Sequence, residues 1–307
     1  MVSRRTLLLF LISIYVITSG SGAVLANTPQ AEIGVVILHP KSGTPAFVHS
    51  WFKKIGKEKL FKTKFQRGCG GGTWVCSADK SVISHRNNKV GLFAIDLYEE
   101  GFLIESPLCA WSKRKNYSDP IDAALVKCVV PRIKKLKKRG AKKIVIVGYS
   151  LGANAAMRAG VFVNGIDAIV AMAPGHTPEK PRTRDSLGDS IAQARAKISS
   201  GNGREKIKFA DFNQGKITPN EASAENFLSW FDPEGKAVMA LNAPKIRAGT
   251  AFLWIAGKDD IISDGTGRYL YGLVPSHPKS RFILVRGGHK DVRKFGKNQI
   301  IDWLKGL

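Results

Sequence analysis

Lys143-Ile-Val-Ile-Val-Gly-Tyr-Ser-Leu-Gly-Ala-Asn154 is the stretch that decides the fold. Ile144 to Val147 are four β-branched residues in a row, the composition of a short buried strand. Gly148-Tyr149-Ser150-Leu151-Gly152 follows and fits G-x-S-x-G, and the Ala-rich run from Ala153 to Ala159 then favours helix. Strand, sharp turn and helix in direct succession is the setting in which this pattern makes a nucleophile elbow. The turn holds its serine in a strained conformation, and Gly148 and Gly152 leave room for strand and helix to close around it. A plain glycine-rich strand–helix turn is the competing explanation, and the pattern out of context does not exclude it.

Strands recur on both sides of this stretch. Upstream lie Ile33 to Leu38, which ends in His39-Pro-Lys-Ser-Gly43, and Phe102 to Glu105, stopped by Ser106-Pro107. Downstream lie Ala168 to Ala173, which ends in Pro174-Gly-His176, then Ala251 to Ala256 and Phe282 to Val285. Helices separate them. Val90, Phe93, Ala94 and Leu97 share one face of a helix over Val90–Glu100. Asp119-Pro120 opens a helix to Arg139 that Pro131 should kink or split, and Asp291 to Leu304 closes the chain as one helix. Alternation of this kind implies a parallel sheet with right-handed crossovers. Residues 177–248 show no sheet periodicity. They hold two helices, Ser186–Ile198 and Ala222–Phe231, and are expected to leave the sheet as a lid before the penultimate strand. Residues 44–87, with Gly68-Cys-Gly-Gly-Gly-Thr73 at their centre, are expected to form a second, surface insertion. No Gly-Lys-Ser/Thr follows those glycines, so they are not a phosphate loop.

A serine hydroxyl needs a base within hydrogen-bond reach and an acid to orient that base. Around a nucleophile elbow both come from loops at the carboxyl ends of later strands, in the order Ser, Asp/Glu, His. Gly257-Lys-Asp-Asp-Ile261 follows one late strand and Arg286-Gly-Gly-His289 the last, which puts Ser150, Asp260 and His289 in that order. Asp259 is the alternative to Asp260, and Asp264 a more distant one. His176 also follows a strand but precedes every acid candidate, so it is read as either a pocket-lining residue or a structural one. The oxyanion hole calls for two backbone donors. One is expected at Leu151; the other belongs to the loop after the first strand, at Lys41 with Ser42 as fallback, because Pro40 has no amide hydrogen.

Leu38-His39, the Gly148–Gly152 elbow, Gly257-x-x-Asp260 and Gly288-His289 together resemble the α/β-hydrolase superfamily, over roughly residues 33–306. Gly101-Phe-Leu-Ile-Glu-Ser-Pro107 with Trp111-Ser112, and Phe231-Asp-Pro-Glu-Gly235, are similar to segments of exported bacterial members of undefined substrate. The resemblance implies an α/β-hydrolase fold of about six mainly parallel strands with helices on both faces. It also implies an ester-cleaving serine hydrolase, with Ser150 as nucleophile, Asp260 as acid and His289 as base, and no cofactor. Acyl transfer runs through the same acyl-enzyme and is the near alternative. Pro40 stands where the family has a glycine, and residues 44–87 have no counterpart in it. His39, Trp111 and His176 are the candidate substrate-contacting side chains; Trp111, Trp230 and Phe231 either line an acyl pocket or, as is commoner for such aromatics, belong to the core.

The amino terminus reads as a secretory signal: Arg4-Arg5, an apolar run from Leu7 to Ile17, and small residues up to Ala26, with cleavage expected after Ala26. The expectation is therefore one hydrolase domain, residues 27–307, secreted or periplasmic, with a small-molecule or lipid ester as substrate. An uncleaved anchor is the alternative, although Ser19-Gly-Ser-Gly22 interrupts the apolar run. Export permits disulfides. Of the three possible pairings, Cys69–Cys76 within one loop and Cys109–Cys128 across one strand-to-helix connection are favoured, over free thiols. The cysteine spacing matches no zinc pattern, and no metal is expected. Net charge is +24, which suits either solvated helix faces or attraction to an anionic envelope surface. No nucleic-acid-binding module accompanies that charge. A non-catalytic polyanion-binding protein on a hydrolase scaffold is the rival class.

Overall fold

The computed structural model describes residues 32–43, 89–112, 115–213, 215–261 and 265–307. The expected signal segment, the insertion at 44–87 with its Cys69–Cys76 pairing, and Asp264 lie outside the described residues.

The elements run β1 (Ile33–Leu38), α1 (Lys89–Glu99), β2 (Leu103–Glu105), α2 (Ile121–Lys138), β3 (Lys143–Tyr149), α3 (Leu151–Phe162), β4 (Ala168–Met172) and α4 (Pro181–Ser199). A hairpin follows, β5 (Lys206–Asn213) and β6 (Lys216–Ser223), then α5 (Ala224–Phe231) and α6 (Met239–Asn242). β7 (Ala251–Gly257), α7 (Thr266–Gly272), β8 (Arg281–Val285), α8 (Val292–Phe295) and α9 (Lys297–Lys305) complete the chain. The main sheet has the order β2-β1-β3-β4-β7-β8, and every neighbouring pair in it is parallel. This is the expected α/β-hydrolase fold, with α4 to α6 and the hairpin inserted before the penultimate strand.

The strands read as near-continuous apolar runs because the sheet is covered on both faces. Alternate residues of one strand enter different cores. Val36, Leu38, Ile144 and Ile146 pack with α2, α3 and the insert. Ile33, Val35, Ile37, Val145 and Val147 pack with α1 and α9. β3 is central, and its carboxyl end sits between those of β1 and β4. The loops that leave β1, β4, β7 and β8 therefore start on the same edge of the sheet as Ser150.

Three expectations need correction. Residues 177–248 do contain strands: β5 and β6 pair antiparallel through a two-residue connection, with Asn213 opposite Lys216. Most of β6 is solvent-exposed, and β5 buries only Phe209 and Asp211, so neither carries a run of apolar residues. Of the two outcomes expected at Pro131, a kink or a split, the split is excluded, since α2 continues through it. The closing helix is two helices that break at Gly296, where a Cβ would lie 2.6 Å from the Ile255 side chain.

Candidate active site

Ser150 sits between β3 and α3 with φ 57° and ψ −122°, a left-handed backbone that a non-glycine residue adopts only under constraint. The constraint is close packing of backbone on backbone. A Cβ on Gly148 would stand 2.0 Å from the Gly152 carbonyl oxygen, and one on Gly152 would stand 2.4 Å from that of Leu38. The Ser150 amide donates to the Met172 carbonyl at 3.0 Å, which ties the turn to β4. Strand and helix are thus pressed together until the serine side chain has one place to go, above the sheet.

His289 meets it there. His289 Nε2 lies 3.0 Å from Ser150 Oγ, and His289 Nδ1 lies 2.9 Å from Asp260 Oδ2. The Asp260 side chain is fully buried, whereas Asp259 is exposed and gives its amide to the Gly287 carbonyl at 3.1 Å. The two late loops are joined: Lys258 also donates to Val285, and a Cβ on Gly257 would stand 2.2 Å from the Gly287 oxygen. Behind the imidazole, the Tyr149 hydroxyl donates to the His289 carbonyl at 3.2 Å, and the two rings lie 5.5 Å apart. Chemically, this is a hydroxyl, an imidazole and a carboxylate in series, in position to pass a proton from Ser150 to His289.

The loop after β1 forms the neighbouring wall, propped from below. The Cys109 amide donates to His39 Nε2 at 3.2 Å, so Nδ1 carries the proton and donates to the Pro40 carbonyl at 2.9 Å. Trp111 Nε1 donates to the His39 carbonyl at 2.8 Å, and the Ser42 amide donates to the Trp111 carbonyl at 3.0 Å. A Cys109–Cys128 disulfide fixes the propping segment to α2. Ser42 is therefore engaged, which leaves Lys41 as the loop's candidate oxyanion amide. Leu151 opens α3, in the first turn, whose N–H groups have no partner within the helix. His39 and Trp111 are fully buried beneath the loop, and neither lines the cleft. Trp230 is likewise buried, while Phe231 does line the cleft. Aromatic residues after a strand look the same in sequence whether they floor a pocket or face it.

The cleft is a cavity of about 200 Å3 walled by Ser150, Leu151, Gly175 and His176 on the sheet side and by residues of the insert on the other. His176 is held on three sides. Its Nε2 donates to the Trp230 carbonyl at 2.6 Å, its amide donates to Asn154 Oδ1 at 3.2 Å, and Asn154 Nδ2 donates to its carbonyl. Burial, and after it the Lys41 charge, pulls its imidazole down to about 3, so it is neutral. Burial holds His39 at about 4.

Two participants carry no sequence signal of their own. Gly175 passes so close that a Cβ there would stand 2.7 Å from His289 Cε1 and 2.9 Å from Ser150 Oγ; only its place after β4 hints at this. Asp211 of β5 forms a buried ion pair with Lys41, whose ammonium also donates to the Phe212 carbonyl at 3.0 Å. Burial lowers the ammonium below its ordinary range and raises the carboxyl above its own, and the attraction between them opposes both shifts. One residue, Lys41, thus supplies both the loop's candidate amide and its tie to the insert. Among the described residues no group of three or more His, Cys, Asp or Glu side chains converges to hold a metal ion.

No protein-family model and no curated protein sequence matches this chain. Solved structures do. An α/β hydrolase from Penicillium sp. sh18 superposes with a TM-score of 0.56 at 14% identity, over 90% of each chain. A metagenome-derived lipolytic enzyme gives 0.55 at 11% identity, over 90% of this chain and 94% of that one. A monoacylglycerol lipase from Paleococcus ferrophilus gives 0.52 at 15% identity, over 89% and 94%. At such identities the likeness is one of fold.

Proposed function

We propose that this chain is an exported serine hydrolase that cleaves an ester-type acyl bond through Ser150, His289 and Asp260. The observation that carries the reading is the unbroken series Asp260 Oδ2, His289 Nδ1, His289 Nε2, Ser150 Oγ at 2.9 and 3.0 Å, opening on a cavity. Ser150 Oγ attacks the acyl carbon as His289 Nε2 takes its proton, and buried Asp260 holds the imidazole in the tautomer that can accept. The amides of Leu151 and Lys41 face the oxygen that becomes negative, worth about 3 kcal/mol per donor. Protonated His289 returns its proton to the leaving alcohol, and water repeats the sequence on the acyl-enzyme. That two structures of like fold are lipolytic agrees with this reading and adds little weight. A fluorophosphonate probe should label the wild-type chain and leave Ser150→Ala unlabelled, and the same substitution should lower ester turnover at least about 10,000-fold. A folded wild-type chain that resists the probe would overturn the proposal. Export is tested separately, by sequencing the amino terminus of the mature protein: any start other than residue 27 removes the expected cleavage after Ala26.

A further inference from the structure

Among the described residues, the cavity over Ser150 is lined by three cations, Lys41, Lys180 and Arg182, and by no carboxylate. Lys41 is already balanced by Asp211. Arg182 is different: among the described residues, no carboxylate oxygen comes within 4.0 Å of its guanidinium. Arg182 is solvent-exposed and rests against the hairpin. Its guanidinium lies over the Phe212 ring, 5.5 Å from the centroid, and Nη2 stands 3.0 Å from where a Cβ on Gly215 would be. Phe212, Asn213 and Gly215 of the hairpin also line the cavity, so the guanidinium spans its mouth from α4 to the hairpin turn.

The surroundings carry the same sign. Arg182 is in the first turn of the 19-residue helix α4, and Lys180 and Thr183 of that end line the cavity with it. The amino end of a helix adds partial positive charge. The whole chain carries +24, a field that draws anions toward any cleft within it. A neutral ester gains nothing from this arrangement. An ester with a negative group would meet a planar fork of donors suited to a carboxylate.

We infer that the cleft selects esters that bear a negatively charged group, which Arg182 binds while Ser150 attacks the acyl carbon. The inference rests on the hydrolase reading and names the substrate class of that same site.

Two pairs of chromogenic esters test it. 4-Nitrophenyl hydrogen adipate against 4-nitrophenyl methyl adipate places the charge in the acyl part. 4-Butanoyloxy-3-nitrobenzoate against its methyl ester places it in the leaving alcohol. At low salt the charged member of at least one pair should be favoured about tenfold in kcat/KM, and the preference should shrink toward one as ionic strength rises to about 0.5 M. Arg182→Gln should reduce the charged-to-neutral ratio about tenfold, and Arg182→Lys should retain most of it. Comparing ratios between variants cancels the intrinsic reactivity of the esters and any general loss of folding. A ratio that Arg182→Gln leaves unchanged in both pairs overturns the inference and leaves the hydrolase standing. Turnover of none of the four overturns it too, and fluorophosphonate labelling of Ser150 then tells whether the hydrolase reading falls with it.

Discussion

At the crest of the sheet, backbone packs on backbone; in the insert above it, side chains reach across to hold it down. Gly148 and Gly152 bring strand, helix and the end of β1 within contact, and the loops carrying Asp260 and His289 are hydrogen-bonded to each other through Asp259 and Gly287. The insert is held by rings and one buried ion pair. Phe209 stacks on Phe227 at 4.3 Å and Phe227 on Phe231 at 4.7 Å; Trp230 meets Trp111 at 5.3 Å and Tyr117 at 5.6 Å, and Lys41 joins Asp211. Backbone contact tolerates no added atom and fixes positions closely. Side-chain contact can be rebuilt with other residues of similar volume. Chemistry that needs atoms placed to a few tenths of an ångström sits on the first kind of scaffold, and selectivity can be varied on the second.

The contrast breaks most sharply at Gly152. Alanine there would drive a methyl group to 2.4 Å from the Leu38 carbonyl oxygen and 2.7 Å from that of His39, both backbone atoms with nowhere to move. Ordinary overpacking of a core costs about 1–3 kcal/mol. Gly152→Ala should exceed that range, at about 4 kcal/mol, and so fail to accumulate as folded protein. Urea unfolding of whatever soluble fraction remains checks it; a loss under about 1 kcal/mol would mean that the crest can yield after all.

The same division explains what could be read from the chain itself. Ile33–Leu38 and the strand–turn–helix at Ser150 were legible because runs of β-branched residues and paired glycines are local signals. The order Ser150, Asp260, His289 was legible because the elbow pattern calls for an acid and then a base in the loops after later strands. Asp260 was preferred to Asp259, but charge alone did not separate them, since two adjacent carboxylates differ only in which one the turn buries. The hairpin was hidden because Lys216-Ile-Thr-Pro-Asn-Glu-Ala-Ser223 is mostly exposed and carries Pro219, a residue that reads as a strand breaker but is accepted in a two-stranded ribbon. Nothing in the sequence ties Lys41 to Asp211, 170 residues away. Long-range side-chain pairs leave no periodic trace.

That pair makes the second test. Asp211→Asn removes the negative charge and leaves a buried ammonium with neutral partners alone among the described residues, at a cost of about 3 kcal/mol. It should also lower kcat about tenfold, because the Lys41 amide shifts when its side chain is released. Lys41→Met with Asp211→Leu should recover most of the stability, as apolar pairs of similar size usually do. Recovery of stability without recovery of kcat would show that the ion pair positions the loop. If the single and double variants unfold alike, the insert does not depend on this contact.

The smallest expected effect concerns acid. His39 is fully buried beneath the crest and His176 almost so beside it; burial holds them at about 4 and about 3. In the unfolded chain each would titrate near about 6.5. Between those values the unfolded chain binds protons that the folded one refuses, so falling pH favours unfolding. Their contribution is complete above pH 6.5 and is lost as the pH drops toward 4, with each imidazole accounting for about 1 kcal/mol between pH 7 and 5.5. His39→Gln keeps a donor and an acceptor in place of the ring but cannot take up a proton. Whatever its own stability, its unfolding free energy should fall about 1 kcal/mol less than the wild type's over that interval. Parallel pH profiles would mean that His39 is protonated in the folded protein, and then its Nε2 could not be accepting the Cys109 amide.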